Sequence, residues 1–138
     1  MGSDLDYSHP EVEEDVLNWG KWLADTVPLK GFRFDAIKHY SEEFLRKFIT
    51  KMDETYGQGW FVVGEFWKDS LEDMTRYLDR MGKKFSLFDA PLVYNFSQIS
   101  QGNGADIRQI FDQTLVQKAP MCAVVSSFTP SISKPGII

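Results

Sequence analysis

Two carboxylic acids, each at the end of a short apolar run, are the residues in this chain best suited to do chemistry. Asp35 follows Gly31-Phe32-Arg33-Phe34, and Glu65 follows Trp60-Phe61-Val62-Val63-Gly64, 30 residues further on. An ionised aspartate can attack an anomeric carbon, and a glutamic acid that keeps its proton can give it to the departing oxygen. That is the division of labour in a retaining glycosidase, whose two carboxyl groups lie roughly 5–5.5 Å apart. Arg33, two positions before Asp35, shares its strand face. A fixed positive charge there favours the ionised aspartate, while burial would raise the pKa of Glu65. A plainer alternative stays open on spacing alone, because acids at strand ends also serve as helix caps or solvated loop charges.

The elements that must position these residues alternate between the two periodicities. Residues 29–37, 60–64 and 85–88 read as strands, and a fourth starts at Ala123-Val124-Val125. Ser8 with Glu11 has the form of a capping box, and Val12, Val16, Trp19, Leu23 and Val27 then mark one face of a helix that Pro28 ends. Ser41 opens a second helix through Phe44, Leu45, Phe48, Ile49 and Met52, and Ser70 a third that runs to Gly82. A further helix is expected from about residue 105 to 116, with Ile107, Ile110, Phe111 and Leu115 on one side. Such alternation predicts an α/β fold of parallel strands joined by right-handed crossovers. Two architectures meet that description: a doubly wound open sheet, and part of a (β/α)8 barrel, which typically needs about 250 residues. Pattern alone favours the open sheet. In either, Asp35, Lys38, His39, Glu65 and Asp89 fall at the C-terminal strand ends, where sites assemble.

Composition narrows the partners. Of the 138 residues 43% are hydrophobic and 25% charged, the balance of a folding globular chain, and the net charge of −5 argues against nucleic acid and anionic membranes. No apolar run approaches the roughly 20 residues of a membrane span. The polar start has no leader-like run, which favours the cytoplasm while leaving the compartment open. The single cysteine, Cys122, reads as a small core residue, and Gly102-Asn103-Gly104 as a turn, since it lacks the third glycine and preceding strand of a dinucleotide loop.

The strings themselves reverse the preference for an open sheet. Gly31-Phe32-Arg33-Phe34-Asp35-Ala36-Ile37-Lys38-His39 resembles the nucleophile segment of the α-amylase family of glycoside hydrolases, and Phe61-Val62-Val63-Gly64-Glu65-Phe66-Trp67 resembles its general-acid segment. Asp4 to Val12 is similar to the stretch before the third barrel helix, and Phe88-Asp89-Ala90-Pro91-Leu92 to the sixth strand and its exit. The resemblance is closest to the liquefying, calcium-dependent branch, which also has fungal intracellular members. It implies a partial (β/α)8 TIM barrel, roughly from the third helix to the start of the seventh strand. It implies Asp35 as nucleophile, Glu65 as acid and then base, and Arg33 as the arginine beside the nucleophile. Lys38 and His39 would line the leaving-group side and Trp67 the cleft. For calcium it implies Asp4 and the main-chain carbonyl of His39 as ligands, with Asp6 at a position used for extra metal. Ser8 stands where that extra site wants an aspartate. The substrate implied is an α-glucan such as starch or glycogen, cleaved internally at α-1,4 bonds.

The family's third acid belongs to an Asn-His-Asp string expected soon after Ala123-Val124, and no histidine follows His39. Residues 1–120 are therefore expected to form the central part of a catalytic barrel, and 121–138 an aberrant, poorly ordered tail. The isolated chain is expected to be inactive. The alternative is a non-catalytic module of a truncated barrel that binds glucan or associates with a complementary half.

Overall fold

The computed structural model describes residues 5–39, 41–57, 59–82, 85–102, 104 and 106–125. Four parallel strands form one sheet in the order β1 (Gly31–Phe34), β2 (Phe61–Gly64), β3 (Ser86–Phe88), β4 (Ala123–Val124). Helices α1 (Pro10–Thr26), α2 (Glu42–Tyr56), α3 (Leu71–Arg80), α4 (Ala90–Ser100) and α5 (Leu115–Lys118) precede or connect them. Parallel neighbours taken in chain order, with a helix between each pair, are the arrangement of a partial (β/α)8 barrel. A doubly wound sheet instead reverses direction at a switch point, and no reversal occurs here.

Local chemistry explains most boundaries. Ser41 Oγ accepts from Phe44 N at 3.1 Å and Ser70 Oγ from Asp73 N at 3.2 Å, so both expected caps satisfy an otherwise orphaned amide. The capping box at Ser8 does not form. His9 holds the N-cap position of α1 without a side-chain cap bond, and Ser8 N donates instead to Asp6 Oδ1 at 2.9 Å. The apolar stripe of α1 is also not a buried face, since Trp19 is 55% exposed and Gly20 alone is fully buried. Gly20 is the contact point with α2, because a Cβ there would lie 2.5 Å from the Phe48 ring.

The expected helix over 105–116 is not present. A short 3-10 turn at Ile107–Gln109 is followed by Gln113 at φ +57°, which breaks helical geometry, and Thr114 then caps the four-residue α5. Asp106 accepts from Arg108 N at 2.9 Å, a local turn that competes with helix. The real helix lies upstream. Asp89 caps α4 by accepting from Leu92 N at 3.1 Å, and Pro91 occupies the first turn, where its missing N–H costs nothing.

The packing falls into two clusters, and Phe34 packs against both. Ile37, Leu45, Val62, Met74, Tyr77, Phe85, Leu87 and Leu115 belong to the main buried cluster between strands and helices, and Cys122 joins it as expected. Phe32 and Phe34 pack edge-on against Phe48 of α2, with ring centroids 5.5 and 5.6 Å apart. Arg33 lies between them in sequence and is thereby turned to the opposite face.

Gly31 is paired with Phe61, and a Cβ on it would fall 1.9 Å from Phe61 O, a backbone atom that cannot yield without parting β1 from β2. Gly31→Ala is therefore expected to lower stability by about 2–3 kcal/mol in urea unfolding, a cost at the upper end for overpacking. Thr50→Ala on the exposed face of α2 should stay within about 0.5 kcal/mol. Equal midpoints for the two variants would contradict this strand register.

Candidate active site

β1 and β2 run side by side in register from Gly31↔Phe61 to Phe34↔Gly64, so the residues that follow them emerge together. Arg33 Nη2 lies 2.9 Å from Asp35 Oδ1 and 3.2 Å from Glu65 Oε2, one guanidinium between two acids. The two carboxyl groups also hydrogen-bond to each other. Asp35 is 73% exposed and Glu65 only 28%, so the two acids meet water very differently.

Their proton affinities diverge accordingly. The hydrogen bond from Glu65 holds the Asp35 carboxyl below its ordinary value of 3.8; burial opposes this, and the charge and hydrogen bond of Arg33 add to the lowering. The bond between the two acids pushes Glu65 above its ordinary 4.5, and burial pushes it further, while the Ala36 amide and Arg33 pull it back. A proton between the two acids therefore favours Glu65, while Asp35 is the more readily ionised.

Backbone geometry at the end of β1 holds this pair. Ala36 adopts φ +46°, a left-handed conformation that costs a non-glycine residue about 1–2 kcal/mol. Its amide donates to Glu65 Oε2 at 3.3 Å. Beyond it Ile37 is buried against Gly64, where a Cβ would meet Ile37 Cδ1 and the Phe85 ring at 2.5 Å. On the far side the Arg33 guanidinium stands 5.8 Å over the Phe88 ring of β3. Neither Ala36 nor Phe88 stands out in sequence. The signal for Phe88 is its place at the third strand end; that for Ala36 is visible only in the backbone.

The other candidates separate into two places. Lys38 Nζ donates to Trp67 O at 3.3 Å, tying the two site loops together beside the acids. The Trp67 ring lies 6.3 Å from Tyr94 of α4, a neighbour hidden from sequence reasoning because α4 was not expected. His39 and Asp6 instead face an open cleft of about 800 Å³ that Lys38, Glu13, Glu43 and Lys47 also line, without Asp35 or Glu65. Asp89, a candidate by its strand-end position, is 1% exposed and fully engaged, accepting from Leu92 N and, at 2.7 Å, from Val116 N. It is a structural cap.

Among the described residues no group of three or more His, Cys, Asp or Glu side chains could hold a metal ion. Asp6 is spent locally, with Oδ1 on Ser8 N and Oδ2 3.5 Å from His9 Nε2. Asp4 lies outside the described residues. The described carboxylates thus do not fit a calcium cage by themselves, since that cation wants six to eight oxygens. No helix among the described residues is long and apolar enough to cross a membrane.

Comparison with known proteins accounts for the arrangement. Residues 2–129 match the family model of the alpha amylase catalytic domain. Over 125 residues, 90% of this chain, the sequence is 40% identical to the alpha-amylase of Bacillus licheniformis. It is 42% identical over the same share to the glucan 1,4-alpha-maltohexaosidase of Bacillus sp. strain 707, and 34% identical to the cytoplasmic alpha-amylase of Escherichia coli K12. These matches cover 24%, 24% and 25% of the relatives, so the chain spans about a quarter of their length.

The linked proton affinities set a direction for stability as well as for titration. Asp35, held low, favours the fold above its unfolded value, and that contribution fades as pH falls through its folded pKa. Glu65, pushed up, favours the fold below its unfolded value, and that contribution is lost as pH rises through its folded pKa. Asp35→Ala removes the largest cause of the upward shift, so carboxyl ¹³C NMR should find Glu65 titrating lower in this variant than in the wild type. A Glu65 midpoint that stays put or rises would show that Asp35 is not its partner.

Proposed function

The chain belongs to the α-amylase family of glycoside hydrolases, and from that membership we propose that it carries the nucleophile and acid of a retaining endo-hydrolase of α-1,4-glucosidic bonds. The observation that carries this reading is the Arg33 guanidinium set between Asp35 and Glu65. An exposed, ionised Asp35 and a more buried Glu65 that retains its proton are the protonation states the first step requires. In that step an Asp35 oxygen bonds to the anomeric carbon, the glycosidic C–O bond breaks, and the Glu65 proton passes to the departing oxygen. Glu65, now ionised, then takes a proton from water, whose oxygen displaces Asp35 and restores the free carboxylate. Two displacements leave the anomeric configuration unchanged.

Lys38 and Trp67 stand where the leaving part of an α-glucan such as starch or glycogen would pass, and His39 lies on the same loop. Calcium in this reading would use Asp4 and the His39 carbonyl with oxygens from outside this chain, while Asp6 would have to leave Ser8. Residues 1–120, with Cys122 in the core and β4 at Ala123–Val124 extending the sheet, serve as the central barrel portion, and only the stretch after β4 as an aberrant tail, in a protein of the cytoplasm.

The isolated chain, with four strands among its described residues and no Asn-His-Asp string in its sequence, is read as inactive. A role as a glucan-binding or associating module draws on the same half barrel. Its exposed apolar side chains, Trp19, Trp22 and Phe61 among them, suit contact with other surfaces.

Reducing-end release from soluble starch should run at less than one-tenth the rate of the Bacillus licheniformis relative for the chain alone. When residues 5–120 replace the matching segment of that relative, activity should appear, and Asp35→Asn should remove it by on the order of 10⁴-fold while glucan binding survives. A chimera indifferent to Asp35→Asn would overturn the catalytic reading, and full activity of the chain alone would overturn the claim of inactivity.

A further inference from the structure

Glu65 is held by β1 in a way that a regular ladder does not allow. Glu65 N donates to Phe34 O at 2.8 Å, and Glu65 O accepts from Ile37 N at 3.2 Å. In an uninterrupted parallel pair the residue bonded to Phe34 O would accept from residue 36, so one extra residue is inserted here. Asp35 and Ala36 together stand opposite Glu65, which makes this a β-bulge, placed at the positive φ of Ala36.

The insertion has a chemical result. The Ala36 amide, released from the ladder, turns instead to the Glu65 side chain and donates to Oε2 at 3.3 Å. The same oxygen receives Arg33 Nη2 at 3.2 Å. Two donors on one oxygen fix the carboxyl orientation and leave Oε1 as the atom free of both of these bonds. The chain returns to register at Ile37, whose burial over Gly64 offsets the strain of the turn.

We propose that Ala36 is a positioning residue: its left-handed backbone forms a bulge whose amide orients the Glu65 carboxyl toward Asp35. The role rests on the reading of Glu65 as the acid, but the bulge itself is testable without any turnover. Besides the Ala36 amide, the charged groups facing Glu65 are Asp35 and Arg33 from β1. Lys38 lies one loop away on Trp67 O.

A direct test uses the wild-type chain labelled with ¹⁵N and with ¹³C at carboxyl carbons. The Ala36 amide proton should move with pH along the same curve as the Glu65 carboxyl carbon, because its acceptor loses a proton there. An Ala36 amide that is silent through the Glu65 transition overturns the proposal. Two variants add independent arms. Ala36→Gly keeps positive φ at no steric cost, so Glu65 should titrate as in the wild type. Ala36→Val disfavours positive φ, so the amide should leave and Glu65 should titrate higher, the lowering contribution being lost. A Glu65 midpoint shifted by glycine or unmoved by valine overturns the proposal. A chimera whose starch hydrolysis ignores Asp35→Asn, with these NMR results intact, would sink the hydrolase reading and leave the bulge standing.

Discussion

One cation shared by two acids organises the end of this sheet. Arg33 offers a single positive charge to Asp35 and Glu65, and the two carboxyl groups touch each other. Two negative charges at that separation would leave the cluster with a net −1 and strong mutual repulsion, so retaining one proton is the favourable state. The bond between them pushes Glu65 up and holds Asp35 down, and the deeper burial of Glu65 pushes it further. Thus the reactivity of both groups comes from one geometric fact, the side-by-side emergence of β1 and β2.

That emergence is a property of packing well away from the acids. Gly31 permits β1 to lie against Phe61, and the Phe32–Phe48 and Phe34–Phe48 contacts turn Arg33 to the other face. Gly64 lets Ile37 settle beneath the loop. Small residues where the backbones crowd and aromatic residues behind the sheet therefore determine where the charges meet. The Arg80–Glu42 pair, bidentate at 2.8 Å, links α3 to α2 on the outside and belongs to the scaffold alone. Being largely exposed, it contributes little beyond orientation.

The sequence made some of this legible and hid the rest for physical reasons. Asp35, Glu65 and Arg33 could be brought together because strand alternation and a strand end are local facts, each carried by a few adjacent residues. The serine caps of α2 and α3 were equally local. α4 is hidden because Asp89-Ala90-Pro91 reads in sequence as a strand exit, although the same residues are a cap followed by a first-turn proline. The helix expected over 105–116 had the right apolar spacing, but Asp106, Gln113 and Thr114 spend the backbone on turns, leaving Ile107 and Phe111 exposed. The bulge at Ala36 depends on which carbonyl of one strand meets which amide of another, and no single segment encodes that. Asp6 matched a metal position by string, yet its oxygens are turned into its own loop, an outcome decided by Ser8 and His9.

The central claim is that Asp35 and Glu65 share one proton and that Glu65 keeps it. Carboxyl ¹³C titration of the wild-type chain measures this directly by following both residues through the acid range in one sample. The curve assigned to Asp35 should fall below 3.8 and that assigned to Glu65 should rise above 4.5, with each carbon also sensing the other's transition. Two independent curves at the ordinary carboxylate values, or the reverse order, would contradict it.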